Sequence, residues 1–84
     1  MQGKRVYDTE AFLEGEYGKH PADGTWYACT PNGMLGNLSG HEVVEHENGT
    51  ITVSPSILVT SPDSKGNEHV RWHGYLEHGI WREV

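Results

Sequence analysis

Apolar and polar positions alternate most clearly between Val43 and Thr60. Asn48-Gly49 is the pair that a two-residue type I′ turn takes, because both central residues of that turn need positive φ. With this turn Glu47 faces Thr50, His46 faces Ile51, Glu45 faces Thr52 and Val44 faces Val53. One face of the hairpin is then Val44, His46, Ile51 and Val53, and the other is Glu45, Glu47, Thr50 and Thr52. A slip of one residue moves a whole strand's side chains to the opposite face, so this pattern predicts a definite register. Pro55 has no N–H for a ladder, which places a bulge, bend or edge at Ser54-Pro55-Ser56. Ile57-Leu58-Val59 follows as a short apolar strand.

The flanking elements read less sharply. Met1 to Arg5 reads as loose or as an edge. Asp8 to Gly15 fits a short helix, with Asp8 or Thr9 as its cap and Gly15 as its end. Such a helix is barely two turns long and needs Phe12 and Leu13 docked on a sheet. Glu16 to Gly24 reads as loop. Thr25 to Thr30 is an aromatic-rich strand, and Pro31-Asn32-Gly33 is a turn. Met34 to Gly40 holds too many breakers for regular structure and reads as an ordered loop. Glu68 to Leu76 is a strand with Val70, Trp72, Gly74 and Leu76 on one face and His69, Arg71, His73 and Tyr75 on the other. His78-Gly79 is a tight turn that sets Trp81 against Leu76 and Arg82 against Tyr75 in a last strand, Ile80 to Val84. The expected architecture is mainly β, a small α+β fold at most. It has five to six mostly antiparallel strands, as a sheet or a half-barrel of hairpins, with one short N-terminal helix.

Composition narrows the function. The 84 residues make one domain, and only 35% are apolar, so the core is small and self-association is an expected way to bury more surface. The formal charge of −6 argues against general nucleic-acid binding. One cysteine excludes an internal disulfide and points to a reducing cytoplasm. No long apolar run or signal-peptide pattern is present, so neither a membrane span nor export is expected.

Candidate chemistry is sparse. On a strand His69 and His73 share a face but stand roughly 13 Å apart, too far to hold one ion. Cys29 has no cysteine partner at zinc-ligand spacing, so no metal site and no cofactor is expected within one chain. Cys29 on an aromatic strand reads as a small buried hydrophobe rather than a nucleophile. Gly33-Met34-Leu35-Gly36 lacks the lysine and helix of a phosphate loop. The more suggestive set is polar and aromatic: Asn37, His41, Ser54, Ser56, Arg71, Trp72, His73, Tyr75 and Arg82. Arg and His pair with phosphate or carboxylate, and Trp and Tyr stack on rings. The plainer account is that these hydroxyls and amides hold turns while the aromatics fill the core. In the ligand-binding reading the Asn32–His41 loop lies against Ser54-Pro55-Ser56 and Trp72-His73-Gly74, with Arg71 and Arg82 at the rim. Gly74 is there to let a chain segment or a ligand approach.

Four blocks resemble a known group together: Trp26 to Gly33, Gly36-Asn37-Leu38, Thr52 to Leu58 and Trp72-His73-Gly74-Tyr75-Leu76. They resemble short uncharacterised proteins of bacteriophages and prophages, some of which carry the label "ammonia monooxygenase". Nothing in this sequence looks like a copper or iron site. The resemblance implies a phage origin and a host-cytoplasm setting. With the composition it leads to a non-enzymatic binding protein, a homo-oligomer that binds or sequesters a host small molecule such as a nucleotide defence signal, or a host protein. The alternatives are a small hydrolase using His73 with Cys29 or a carboxylate, and a virion or structural interaction protein.

Overall fold

The computed structural model describes residues 1–7 and 11–84, and all of its regular structure is strand. The strands are β1 (Lys4–Arg5), β2 (Glu16–Lys19), β3 (Trp26–Cys29), β4 (Leu35–Asn37), β5 (Glu42–Glu45), β6 (Ile51–Ser54), β7 (Ile57–Pro62), β8 (Glu68–Glu77) and β9 (Ile80–Glu83). They form three sheets, β1-β2-β3-β4, β5-β6 and β7-β8-β9. Every pairing is antiparallel except β1 with β2. The mainly β class thus holds, but with nine strands among the described residues in place of five or six. No helix among the described residues spans a membrane's thickness.

The expected N-terminal helix is absent from the described part of its span, Ala11 to Gly15; Asp8 to Glu10 lie outside the described residues. A two-turn helix needed both Phe12 and Leu13 docked. Only Phe12 docks, its ring 6.2 Å from that of Tyr27, while Leu13 is 71% exposed. The segment's main chain bonds to neighbouring segments instead: Gly15 N–H donates to Cys29 O, and Lys4 N–H donates to Gly15 O. Glu16 to Lys19 is strand rather than loop. Its one large inward side chain is Tyr17, 1% exposed. Gly18 is tolerated in it because Val6 passes close: a Cβ there would lie 2.4 Å from Val6 O.

The central hairpin forms, but one residue out of the expected register. Val43 pairs with Val53, Val44 with Thr52 and Glu45 with Ile51. The loop is the cause. His46 N–H donates to Thr50 O, so three residues lie between the closing pair. Gly49 has φ 86°, whereas Asn48 is not in the left-handed region. This is the three-residue connection with a glycine bulge, not the type I′ turn. Ile51 and Val53 remain buried, but β5 is turned over. Val43 packs against the core, and Val44 is 45% exposed. His46 leaves the core face as well. Its Nε2 meets Thr52 Oγ1 at 2.7 Å and its ring stacks 4.1 Å from His78.

The type I′ turn occurs at the other hairpin, where His78 (φ 48°) and Gly79 (φ 76°) link β8 to β9. It gives the expected pairs Leu76–Trp81 and Tyr75–Arg82. Trp72, Leu76 and Trp81 pack there with Ile57, joined from the other sheets by Tyr17, Ala28, Leu38, Ile51 and Val53. The Trp72 and Trp81 rings meet edge to face at 5.3 Å. The space beside Gly74 is filled by the Trp72 ring and the main chain of β9. A Cβ on Gly74 would sit 2.4 Å from both Trp72 Cη2 and Arg82 O. Gly74→Ala should therefore destabilise the fold by about 1–3 kcal/mol through overpacking, as read by chemical denaturation. An unchanged midpoint would contradict this packing.

Candidate functional site

The sequence-nominated residues separate into several places. His41, Ser56 and His73 converge. Ser56 O is a carbonyl and can only accept, so His41 Nε2 donates to it at 3.3 Å. Ser56 Oγ lies 3.0 Å from His73 Nε2. The Asn32–His41 stretch, which holds strand β4 where only a loop was expected, touches Ser56 through His41 and reaches Arg71 O, one residue before Trp72, through Asn32 Nδ2 at 3.0 Å. The remaining residues do not join this group. Asn37 Oδ1 accepts from Ser39 N–H, and its Nδ2 reaches Tyr27 Oη at 3.4 Å. Ser54 is exposed at the end of β6. Trp72 is 4% exposed and belongs to the core. Arg71 Nε donates to Ser61 Oγ at 2.6 Å. Arg82 pairs with Glu77 and lies over the Tyr75 ring at 5.1 Å. The two arginines expected at one rim are thus held by different partners.

A cavity is also lined by His41. It has a volume of about 280 Å³ and is lined by Gly24, Thr25, Trp26, Leu38, Ser39, His41 and Val43. Its position follows from local structure. The Asp23-Gly24 corner carries the chain into β3: Thr25 N–H donates to Asp23 Oδ1 at 2.9 Å, which holds that carboxyl below its usual range. Leu38 N–H donates to Trp26 O, and His41 N–H to Leu38 O, so the β4–β5 connection folds back along β3. Val43 closes one side because the three-residue loop turned β5 over. Leu38 and Val43 are apolar, Trp26 is half-buried, and Thr25 and Ser39 add hydroxyls.

Two cations stand on Trp26, with Arg5 4.7 Å and Lys19 5.2 Å from its ring centroid. Lys19 is there because it is the cross-strand partner of Trp26. Arg5 is also bound by Glu45 Oε2 and Gly49 O, both at 2.9 Å. His41 Nδ1 is buried with no hydrogen-bond partner among the described residues. Of the sequence-nominated residues only His41 lines this cavity. Trp26 read only as part of an aromatic-rich strand, Ser39 only as a polar neighbour of His41 in the same loop, and Thr25, Leu38 and Val43 had no site role. The one available signal was an aromatic strand residue next to a cationic partner, and finding it required the pairing of β2 with β3.

Other chemistry is limited. Among the described residues no group of three or more His, Cys, Asp or Glu side chains is placed to hold a metal ion. Cys29 is buried. Burial pushes its thiol up, and Glu14 and Glu16 add to the effect. Neither a protein-family model nor a curated protein nor a solved structure matches the chain.

Two measurements test this description. Because its pKa is raised, Cys29 stays a protonated thiol at neutral pH, and the thiolate appears only above the ordinary thiol range. Native protein should react with iodoacetamide at least ~10-fold more slowly than a free cysteine, and denaturation should abolish the difference. Reaction at the free-cysteine rate would refute the burial. Ser56→Ala and His73→Ala each remove the same half-buried contact. Each should cost about 1 kcal/mol and the double variant little more than either, because the pair is one interaction. Additive losses would show that the two side chains act apart.

Proposed function

We propose that this chain is a small non-enzymatic binding protein, working as a homo-oligomer, that takes up a small molecule in the cavity walled by Trp26 and His41. The cavity carries the reading. It is concave and partly apolar, and it has a few polar groups at fixed positions, as small-ligand sites do. Its volume of about 280 Å³ suits a compact ligand. A ring with an anionic group is the class that suits it: Trp26 brings an aromatic side chain to the lining, and Lys19 and Arg5, which stand over that ring outside the lining, add positive charge nearby, Arg5 being paired with Glu45. A nucleotide meets that description. The resemblance to phage proteins supports sequestration of such a molecule in a host cytoplasm.

The hydrolase alternative is weaker. Its thiol nucleophile is buried and held protonated, and His73 is engaged by Ser56. No observation favours a virion role.

Titration with a panel of mononucleotides and cyclic dinucleotides, followed by amide chemical shifts, tests the reading. Binding should move Gly24, Thr25, Ser39 and His41. Ser39→Trp, a bulky change at an exposed lining position, should weaken binding more than ~10-fold with an unchanged melting temperature. Shifts that map elsewhere, or a Ser39→Trp protein that binds normally, would remove the cavity from the proposal. No binding by any member would remove nucleotides as the class.

A further inference from the structure

We infer that Asn48-Gly49, at the tip of the β5–β6 hairpin, is a site of spontaneous covalent modification: the folded chain converts Asn48 to aspartate and isoaspartate, and the isoaspartate form carries an altered cavity wall. This chemistry does not depend on which ligand the cavity takes. It starts when the main-chain nitrogen of the next residue attacks the asparagine carboxamide. A glycine in that position has no Cβ to obstruct the approach. The chain has four asparagines, and glycine follows only Asn32 and Asn48. Both are exposed, so neither sequence nor exposure chooses between them.

Hydrogen bonding chooses. The Asn32 side chain is held at both ends, because its Oδ1 accepts from Thr30 Oγ1 and its Nδ2 donates to Arg71 O at 3.0 Å. These bonds draw the carboxamide back along the chain and across to β8, and they tie down the nitrogen that has to leave. The Asn48 side chain is held at the oxygen only. Its Oδ1 accepts from Thr50 Oγ1 at 2.6 Å and from Thr50 N–H at 3.2 Å, while Nδ2 has no partner among the described residues. Reaching to Thr50 carries the carboxamide forward over Gly49, whose nitrogen attacks. The two donors on Oδ1 are placed to stabilise the negative charge that this oxygen gains when Cγ becomes tetrahedral. In the resting loops Gly49 N–H donates to His46 O and Gly33 N–H to Thr30 O, so freeing the glycine nitrogen is required at both sites alike.

Water is the only co-reactant. The Gly49 nitrogen gives its proton to solvent and bonds to Asn48 Cγ. The Cγ–Nδ2 bond breaks, and Nδ2 leaves as ammonia after taking up a proton. Water then opens the cyclic imide. Cleavage at Cγ leaves aspartate, and cleavage at the former main-chain carbonyl leaves isoaspartate, with the chain running through Cβ. Either product adds one negative charge next to Glu47 in a chain that already carries −6. Isoaspartate also adds one carbon to the main chain of the three-residue loop, on which the register of β5 against β6 depends. Gly49 is where that loop meets the cavity wall. Its carbonyl accepts from Arg5 at 2.9 Å, and Arg5 pairs with Glu45 and stands over Trp26 of the lining. A longer main chain displaces that carbonyl and with it Arg5.

Incubation of the folded chain at mildly alkaline pH tests this, followed by peptide mass mapping and enzymatic methylation of isoaspartyl carboxyls. The peptide holding Asn48 should gain one dalton at least ~10-fold faster than the peptide holding Asn32. In denatured protein the two should convert at similar rates, since the Asn-Gly pair is common to both. Thr50→Val removes the hydroxyl donor and keeps the methyl group. It should slow conversion at Asn48 at least ~3-fold and leave Asn32 as it was. The converted forms separate from the parent by charge. In the isoaspartate form the amide signals of Arg5, Val43 and Glu45 should move, and in the aspartate form only those beside position 48. Equal rates at the two sites in folded protein, or a faster rate at Asn32, would overturn the choice of site. Conversion of Asn48 in denatured but not in folded protein would overturn the site altogether. Unmoved Arg5 and Val43 signals in the isoaspartate form would overturn the link to the cavity wall.

Discussion

Two of the three sheets, β1–β4 and β7–β9, are joined at one indole. Trp81 is 2% exposed, and it belongs to β9 by main chain and to the whole molecule by side chain. Its ring meets Trp72 edge to face, and its Nε1–H donates to Gly15 O at 3.0 Å inside the fold. Its main-chain N–H donates to Met1 O, and Met1 N donates to Trp81 O. A buried indole N–H without a partner costs about 1–3 kcal/mol, so the carbonyl just before β2 has to come to it. That requirement fixes where the β1–β4 sheet sits against the β7–β9 sheet. It also explains Gly3. The N-terminal segment passes so close that a Cβ there would lie 3.0 Å from Trp81 Nε1 and 2.7 Å from Gly79 O.

Once the sheets are joined in this way, one loop decides the cavity. The β5–β6 loop has three residues, and the extra one shifts the strand pairing by one place. The shift leaves Ile51 and Val53 inward but exchanges Val44 for Val43 on the inner side of β5. It also brings Glu45 onto the side of Ile51, at the margin of the sheet, where it binds Arg5. Arg5 in turn lies over Trp26. Loop length, register, an ion pair and a cavity wall are therefore successive consequences of where one glycine takes positive φ.

This sequence of causes shows why some features were legible and others were not. The β8–β9 hairpin was readable because its turn chemistry and its alternation agree, and both held. The β5–β6 hairpin was readable as a hairpin but not in register. Asn-Gly serves a two-residue turn and a three-residue loop alike, and β5 has Val43 and Val44 in succession, so hydrophobicity does not choose between them. The β2 strand was hidden because four residues with one inward aromatic carry no periodicity. The helix expected from Asp8 to Gly15 had local signals only, and Leu13 finds no surface to cover. Of the site, the contact between Ser56 and His73 and the approach of the Asn32–His41 loop were foreseeable from Pro55 and the strand faces. The cavity was not, because its walls come from a corner, a strand and a returning loop that share no sequence pattern.

His41 shows how closely the cavity and the sheet edge are tied. Its Nε2 must be the donor, since Ser56 O can only accept. In the neutral ring Nδ1 is then a bare acceptor, and that atom is buried without a partner among the described residues. Leaving such a group unpaired is unfavourable, so the ring is held by packing and by its single bond at Nε2 and not by full satisfaction. The same ring forms one wall of the cavity and, through Ser56, closes the edge of β7 two residues from Leu58. A displacement of His41 at the cavity therefore breaks its bond to Ser56 O, and a strand that pairs with Ser56 O has to displace His41 from the cavity wall. The cavity wall and the carbonyl just before β7 thus share one side chain.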